Sequence, residues 1–196
     1  MTQTTKVWSI FIRVFHWSLV LLFVAAYITS SSGDDDIHMI LGYMVSVLLF
    51  ARIVYGFTTQ GHGRFSNFLY TPAMIWQHAK GIASNHPKNY LGHSPMGSAM
   101  VFALLILLLA LATSGLLYQG WGEYEGPLWW LHMMPSNALG HEAWDIHHFL
   151  PDMLWVFIAL HILGVVLASI QHKENLPRAM VTGLKVIKKE GRYEEV

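Results

Sequence analysis

Between residues 94 and 122 the chain carries no Asp, Glu, Lys or Arg. Water offers no reason for so long an apolar run, whereas lipid demands one. In hydrocarbon every backbone N–H and C=O must find its partner inside the segment, which leaves a helix or a closed barrel. About 20 apolar residues are enough for a helix to cross. Three further stretches reach that length, near residues 8–28, 37–57 and 146–170, beside the one at 96–118. Ser94-Pro95 opens the last of these well, as an N-cap followed by proline at the first helical position. The first stretch also resembles a secretory signal in having Lys6 and Arg13 near an apolar run, but a signal core is shorter and rarely holds His16-Trp17. The expected fold is an all-α membrane protein: four transmembrane helices in one bundle, a single domain over residues 1–196 with a tail at 171–196.

Charge sets the direction of threading. Charged residues make up only 12% of the chain, about half the share usual in soluble domains. All 12 Lys and Arg fall on one side: Lys6 and Arg13, then Arg52, Arg64, Lys80 and Lys88, then the tail with Lys173, Arg178, Lys185, Lys188, Lys189 and Arg192. The opposite loops hold Asp34, Asp35, Asp36, Glu123, Glu125, Glu142 and Asp145. The positive-inside rule then places both termini in the cytoplasm. A formal net charge of +0 gives no basis for attracting nucleic acid. The absence of Cys excludes disulfides, thiolate iron–sulfur clusters and covalently attached c-type haem.

Histidine is where function must be sought. There are 12, and His16, His38, His147, His148 and His161 lie within or at the ends of the spans, where an ionisable side chain is costly. His161 follows His147 by fourteen residues, a rise of ~21 Å and a rotation only ~40° short of whole turns, so the two share a helix face at two depths. His148 would stand roughly 140° away from His161 around the axis. Two pairs follow, His38 with His147 near the outer surface and His16 with His161 nearer the cytoplasm. Paired neutral imidazoles without thiolate or carboxylate suit six-coordinate haem iron held between helices. Two such haems would form an electron path across the membrane. A zinc or copper site would instead gather three or four ligands at one depth.

Plainer readings stand beside these. A single intramembrane His is often a satisfied polar contact or a proton relay. Gly42 and Gly164, near His38 and His161, leave room for a flat macrocycle, but glycines also serve helix packing. Pro151 removes the hydrogen bond to the His147 carbonyl. Either helix four bends there or it starts near Leu150, in which case His148 becomes a substitute for His147.

Arg13-Val-Phe-His16-Trp17, His38-x-x-x-Gly42-Tyr43, Tyr90-Leu-Gly-His-Ser-Pro95-x-Gly97 and His147…Ala159-Leu-His161 together resemble the bacterial cytochrome b561 family, which includes the b-type cytochrome subunits of nickel–iron hydrogenases. The resemblance runs from about Val7 to Ile170. It implies two non-covalent b haems, with His16 and His161 as axial ligands on the cytoplasmic side and His38 and His147 on the outer side. It further implies a respiratory electron-transfer subunit in the bacterial inner membrane, passing electrons between a periplasmic redox partner (a hydrogenase, reductase or multihaem cytochrome) and the quinone pool. Two other classes stay open: a stand-alone quinone-linked oxidoreductase acting on a small molecule such as superoxide, and a haem-free transporter or scaffold.

The remaining motifs are assigned as follows. Pro72-Ala-Met-Ile-Trp-Gln-His-Ala-Lys80 reads as a short amphipathic surface helix, and Leu128-Trp-Trp-Leu-His-Met-Met134 as an aromatic interfacial segment. The connection from Tyr118 to Ile146 is long, which predicts a lid near the outer haem where a partner docks. Arg13 and Arg52 are read first as boundary residues whose heads reach the headgroup layer, with neutralisation of a haem propionate as the alternative. Asp152 is read as an outer-boundary residue rather than a proton shuttle. His78, His86 and His93 are read as solvated loop residues without a role.

Overall fold

A computed structural model describes residues 2–84, 89–133, 137–188 and 193–194. Lys88, Lys189, Arg192, His86 and Met134 lie outside them. Six α-helices are described: α1 (Ile10–Ser32), α2 (Asp35–Thr58), α3 (Pro72–Ala83), α4 (Pro95–Tyr118), α5 (Asn137–His172) and α6 (Leu176–Thr182). Four short strands accompany them: β1 (Thr2–Lys6), β2 (Asn89–Tyr90), β3 (Leu184–Lys188) and β4 (Tyr193–Glu194). Helices α1, α2, α4 and α5 are each long and apolar enough to span a bilayer. Ser94 Oγ accepts the Gly97 N–H at 3.2 Å, the cap expected at the start of α4. The surface helix expected around Pro72 is α3, capped by the Thr71 hydroxyl.

Helix α5 departs from expectation. It begins at Asn137, well before residue 146, and runs on through Pro151. The added turns hold His141, Glu142 and Asp145, so hydropathy does not reveal them. Packing does: Ala143 is buried, and a Cβ on Gly140 would touch the Gly122 backbone at 3.5 Å. The later start near Leu150 is therefore excluded, and His147 is helical. The outer connection is correspondingly shorter and mostly wound. A π-helical turn covers Gln119–Glu123 and a 3₁₀ turn covers Trp129–Met133.

The chain divides into two compact units. The first comprises Met1–Trp17, Ala51–Phe102 and Ala159–Val196. There β1 pairs antiparallel with β3, from Thr2↔Lys188 to Lys6↔Leu184, and β2 pairs parallel with β4. Val7, Ile12, Phe15, Phe68, Tyr90 and Ala179 form its buried core. The second comprises Ser18–Phe50 and Ala103–Ile158, with Phe23, Val45, Leu49, Leu108, Leu150 and Leu154 buried. All four long helices contribute to both units. Large apolar side chains on them, such as Val47, Phe50, Ile106 and Ile170, are more than 60% exposed, as lipid-facing residues should be.

Candidate functional site

In the first unit, His16 of α1 faces His161 of α5 with ring centres 6.4 Å apart and planes inclined by 52°. His16 also meets Trp17 edge-on at 5.0 Å. Its Nδ1 is buried without a hydrogen-bond partner among the described residues.

In the second unit, His38 of α2 faces His147 of α5 with ring centres 6.0 Å apart. Here both rings are fixed from behind. His38 Nδ1 lies 2.9 Å from the Ala26 carbonyl, and His147 Nδ1 lies 3.0 Å from the Leu111 carbonyl and 3.2 Å from Ser114 Oγ. A carbonyl only accepts, so Nδ1 carries the proton in each ring and Nε2 keeps its lone pair. An imidazole whose Nδ1–H is held by a carbonyl while Nε2 stays free is the arrangement typical of metal-ligating histidines. His148 is not brought opposite His38. It donates back to its own helix at the Trp144 carbonyl, 2.9 Å away, and packs on the Trp144 ring at 3.7 Å with the planes inclined by 38°.

The spacing is chemically informative. A nitrogen binds a metal ion at about 2 Å and the ring centre lies roughly 1.1 Å behind it, so two imidazoles trans to one ion have centres roughly 6.2 Å apart. The two observed separations bracket that value. No cluster of three or more His, Asp or Glu able to hold a metal exists among the described residues. An ion at either pair would therefore bring its remaining, equatorial ligands with it. The glycines agree with a flat group: a Cβ on Gly42 or on Gly164 would meet nothing within 4 Å. Neither glycine is needed for close helix packing.

Gly115 was not anticipated from sequence. A Cβ there would stand 2.8 Å from His147 Cε1, so the charge-free α4 contributes the space and the Leu111 carbonyl that hold the ring. The one available signal was the small pair Ser114-Gly115 inside an otherwise bulky apolar run. Further along, Gln119 accepts from Tyr43 at 2.5 Å and donates to Met39 Sδ at 2.7 Å, tying the π-helical turn to α2. Trp129, Trp130 and Met133 are exposed nearby in sequence, while Leu131 is buried.

Three loop or boundary residues differ from expectation. Arg52 is only 3% exposed; it lies over the Phe65 ring at 4.5 Å and its Nη1 has no partner among the described residues. It does not reach out to headgroups, because α2 packs it inward. An unpaired buried guanidinium costs several kcal/mol, roughly. His93 is enclosed by Trp8 and Phe68, at 4.7 and 4.3 Å, and its Nδ1 has no partner among the described residues. Burial, then the charges of Arg52 and His62, push its pKa down to about 3. His78 is buried against Tyr90 with neither ring nitrogen partnered among the described residues, and burial, then His172, lowers its pKa. Neither histidine is solvated. Arg13 donates from Nη1 to the Val181 carbonyl at 2.6 Å, and its Nε is a further unpartnered donor. Asp152 is exposed on α5.

Comparison with known proteins adds an independent line. A family model described as prokaryotic cytochrome b561 matches residues 7–183. A probable Ni/Fe-hydrogenase B-type cytochrome subunit of Rhizobium leguminosarum bv. viciae is 23% identical, over 95% of this chain and 90% of that protein. Proteins of the same description from Rhodobacter capsulatus and Azotobacter vinelandii are 21% and 23% identical, each over 90% of this chain and over 79% and 86% of their own lengths. No solved structure matches significantly.

Proposed function

The chain belongs to the prokaryotic cytochrome b561 family, and from that premise we propose that it is a di-haem carrier linking a periplasmic redox enzyme to the membrane quinone pool. Family and helices together make it a multi-pass membrane b-type cytochrome engaged in electron transfer with haem b. The finer assignments are as follows. His16 and His161 hold one haem, and His38 and His147 hold the other. Both termini are cytoplasmic, in the bacterial inner membrane, and the chain acts as one domain.

One observation carries this reading: two imidazole pairs from different helices, each at the separation that suits a single ion between them. Haem iron, when bound, supplies a one-electron couple tuned by its axial ligands and surroundings. The chain's own part is to position. The Ala26 and Leu111 carbonyls orient the outer pair, Gly42, Gly115 and Gly164 leave room, and the apolar spans exclude water. The names of the relatives support a hydrogenase-like enzyme subunit as partner, docking near the exposed Trp129, Trp130 and Met133.

The test is a pyridine haemochrome count on purified protein. Two b haems per chain are expected, with His16→Ala and His38→Ala each losing one. A colourless protein overturns the reading in favour of a transporter or scaffold. Turnover of superoxide with quinone by the purified chain alone would favour the self-sufficient enzyme.

A further inference from the structure

Arg13 Nε, Arg52 Nη1 and His93 Nδ1 are three buried nitrogens in the same unit of the chain, without hydrogen-bond partners among the described residues. They are linked by a short series of contacts. Gly183, at the left-handed end of α6 with φ +81°, leaves room where a Cβ would stand 3.2 Å from Arg13 Nε and 2.7 Å from the Trp8 carbonyl. Trp8 packs on His93 at 4.7 Å, His93 on Phe68 at 4.3 Å and Phe68 on Phe65 at 5.9 Å, and the Arg52 guanidinium lies over the Phe65 ring at 4.5 Å. Among the described side chains of this unit the acidic one is Glu174, which pairs with Lys185 at 3.0 Å. Arg13 Nε, Arg52 Nη1 and His93 Nδ1, each without an acceptor among the described residues, can offer N–H groups to anionic oxygens.

The level of the site identifies its occupant. Arg13 precedes His16 by three residues, on the same face of α1. Arg52 lies six residues before the end of α2, as His16 lies six residues after the start of α1. We infer that Arg13, Arg52 and His93 are positioning residues for a pair of carboxylates, the propionates of the haem held between His16 and His161. Its carboxylate edge then faces the end of the molecule where α1 begins and α2 ends. The inference rests on that haem being present. An anionic lipid headgroup offers the same oxygens, and the experiment separates the two sources.

The test uses full-length protein in nanodiscs and three readouts: the reduction potential of each haem, the resonance Raman propionate bending modes, and bound phospholipid by native mass spectrometry. Arg52→Met removes a cation beside the carboxylates and so favours ferric iron. One haem should lose about tenfold in its reduction equilibrium constant, or 59 mV, with altered propionate modes, while the other is unchanged. Arg52→Lys should recover part of the loss, and Arg13→Met should act on the same haem. Where Arg52→Met does not fold, wild-type protein reconstituted with haem dimethyl ester should shift the same haem in the opposite direction, to a higher potential, because the ester removes the carboxylate charge and leaves the arginines beside the iron unbalanced. Unchanged potentials and propionate modes in the arginine variants overturn the inference, as does loss of bound phospholipid with unaltered propionate modes. A wild-type protein lacking that haem refutes the underlying function instead, which His16→Ala probes separately.

Discussion

Gly115→Ala tests whether His147 is held by space on the neighbouring helix. The added methyl would stand 2.8 Å from Cε1 and 3.1 Å from Nδ1 of His147, where comfortable contact is about 3.5–4.0 Å. The ring must therefore retreat by about 0.7–1 Å. Overpacking of that kind costs about 1–3 kcal/mol. The 3.0 Å hydrogen bond to the Leu111 carbonyl would be strained or lost, about 1 kcal/mol more. With His38 and His147 holding a haem as proposed, these effects together should weaken its retention by about 2–4 kcal/mol, roughly 30- to 700-fold. Helix propensity works the other way, since Ala is favoured over Gly by about 1 kcal/mol, so a loss cannot be blamed on α4 itself. The assay is the rate of haem transfer from purified variant to excess apomyoglobin, with the haem count before and after. Wild-type rates and counts would show that the ring is not positioned by this contact.

Other outcomes follow from the same geometry. Gly42→Ala and Gly164→Ala meet no protein atom within 4 Å, so thermal stability of haem-free protein should hold or rise while haem content falls; full haem content would mean the open space is not a cofactor's. His147→Ala should cost one haem and His148→Ala none, as read from a pyridine haemochrome count. Deleting residues 129–133 should slow reduction by a partner enzyme with haem intact, measured by stopped flow; unchanged rates would remove the docking role. His78 is held neutral by burial, so the unfolded chain takes up its proton first and stability falls as pH drops below about 6.5. His78→Phe should flatten that slope in melting curves between pH 7 and pH 5.

The helices were legible because length and hydropathy are local properties, as α4 shows with its Ser94 cap. The start of α5 was not, because the turn carrying His141, Glu142 and Asp145 is polar and is held by Gly140 lying against Gly122. Reading Pro151 as a possible helix start failed for a related reason: proline removes one hydrogen bond, and turns on both sides keep the helix intact. Arg52 misled in the same way. At a span's end a long cation ordinarily reaches outward, and only the packing of α2 over Phe65 turns it inward.

Sequence alone determined that this chain spans a membrane four times and that His147 and His161 share one helix at two depths. Both follow from rise and rotation along a single helix, which need no knowledge of neighbours. Tertiary structure decided which imidazoles stand opposite them, which nitrogen of each outer ring is left free, and why α4 needs Gly115. It also decided that one nitrogen each of Arg13, Arg52 and His93 is buried in one unit without a partner among the described residues. Those are relations between segments far apart in the chain, and they exist only once the helices have packed.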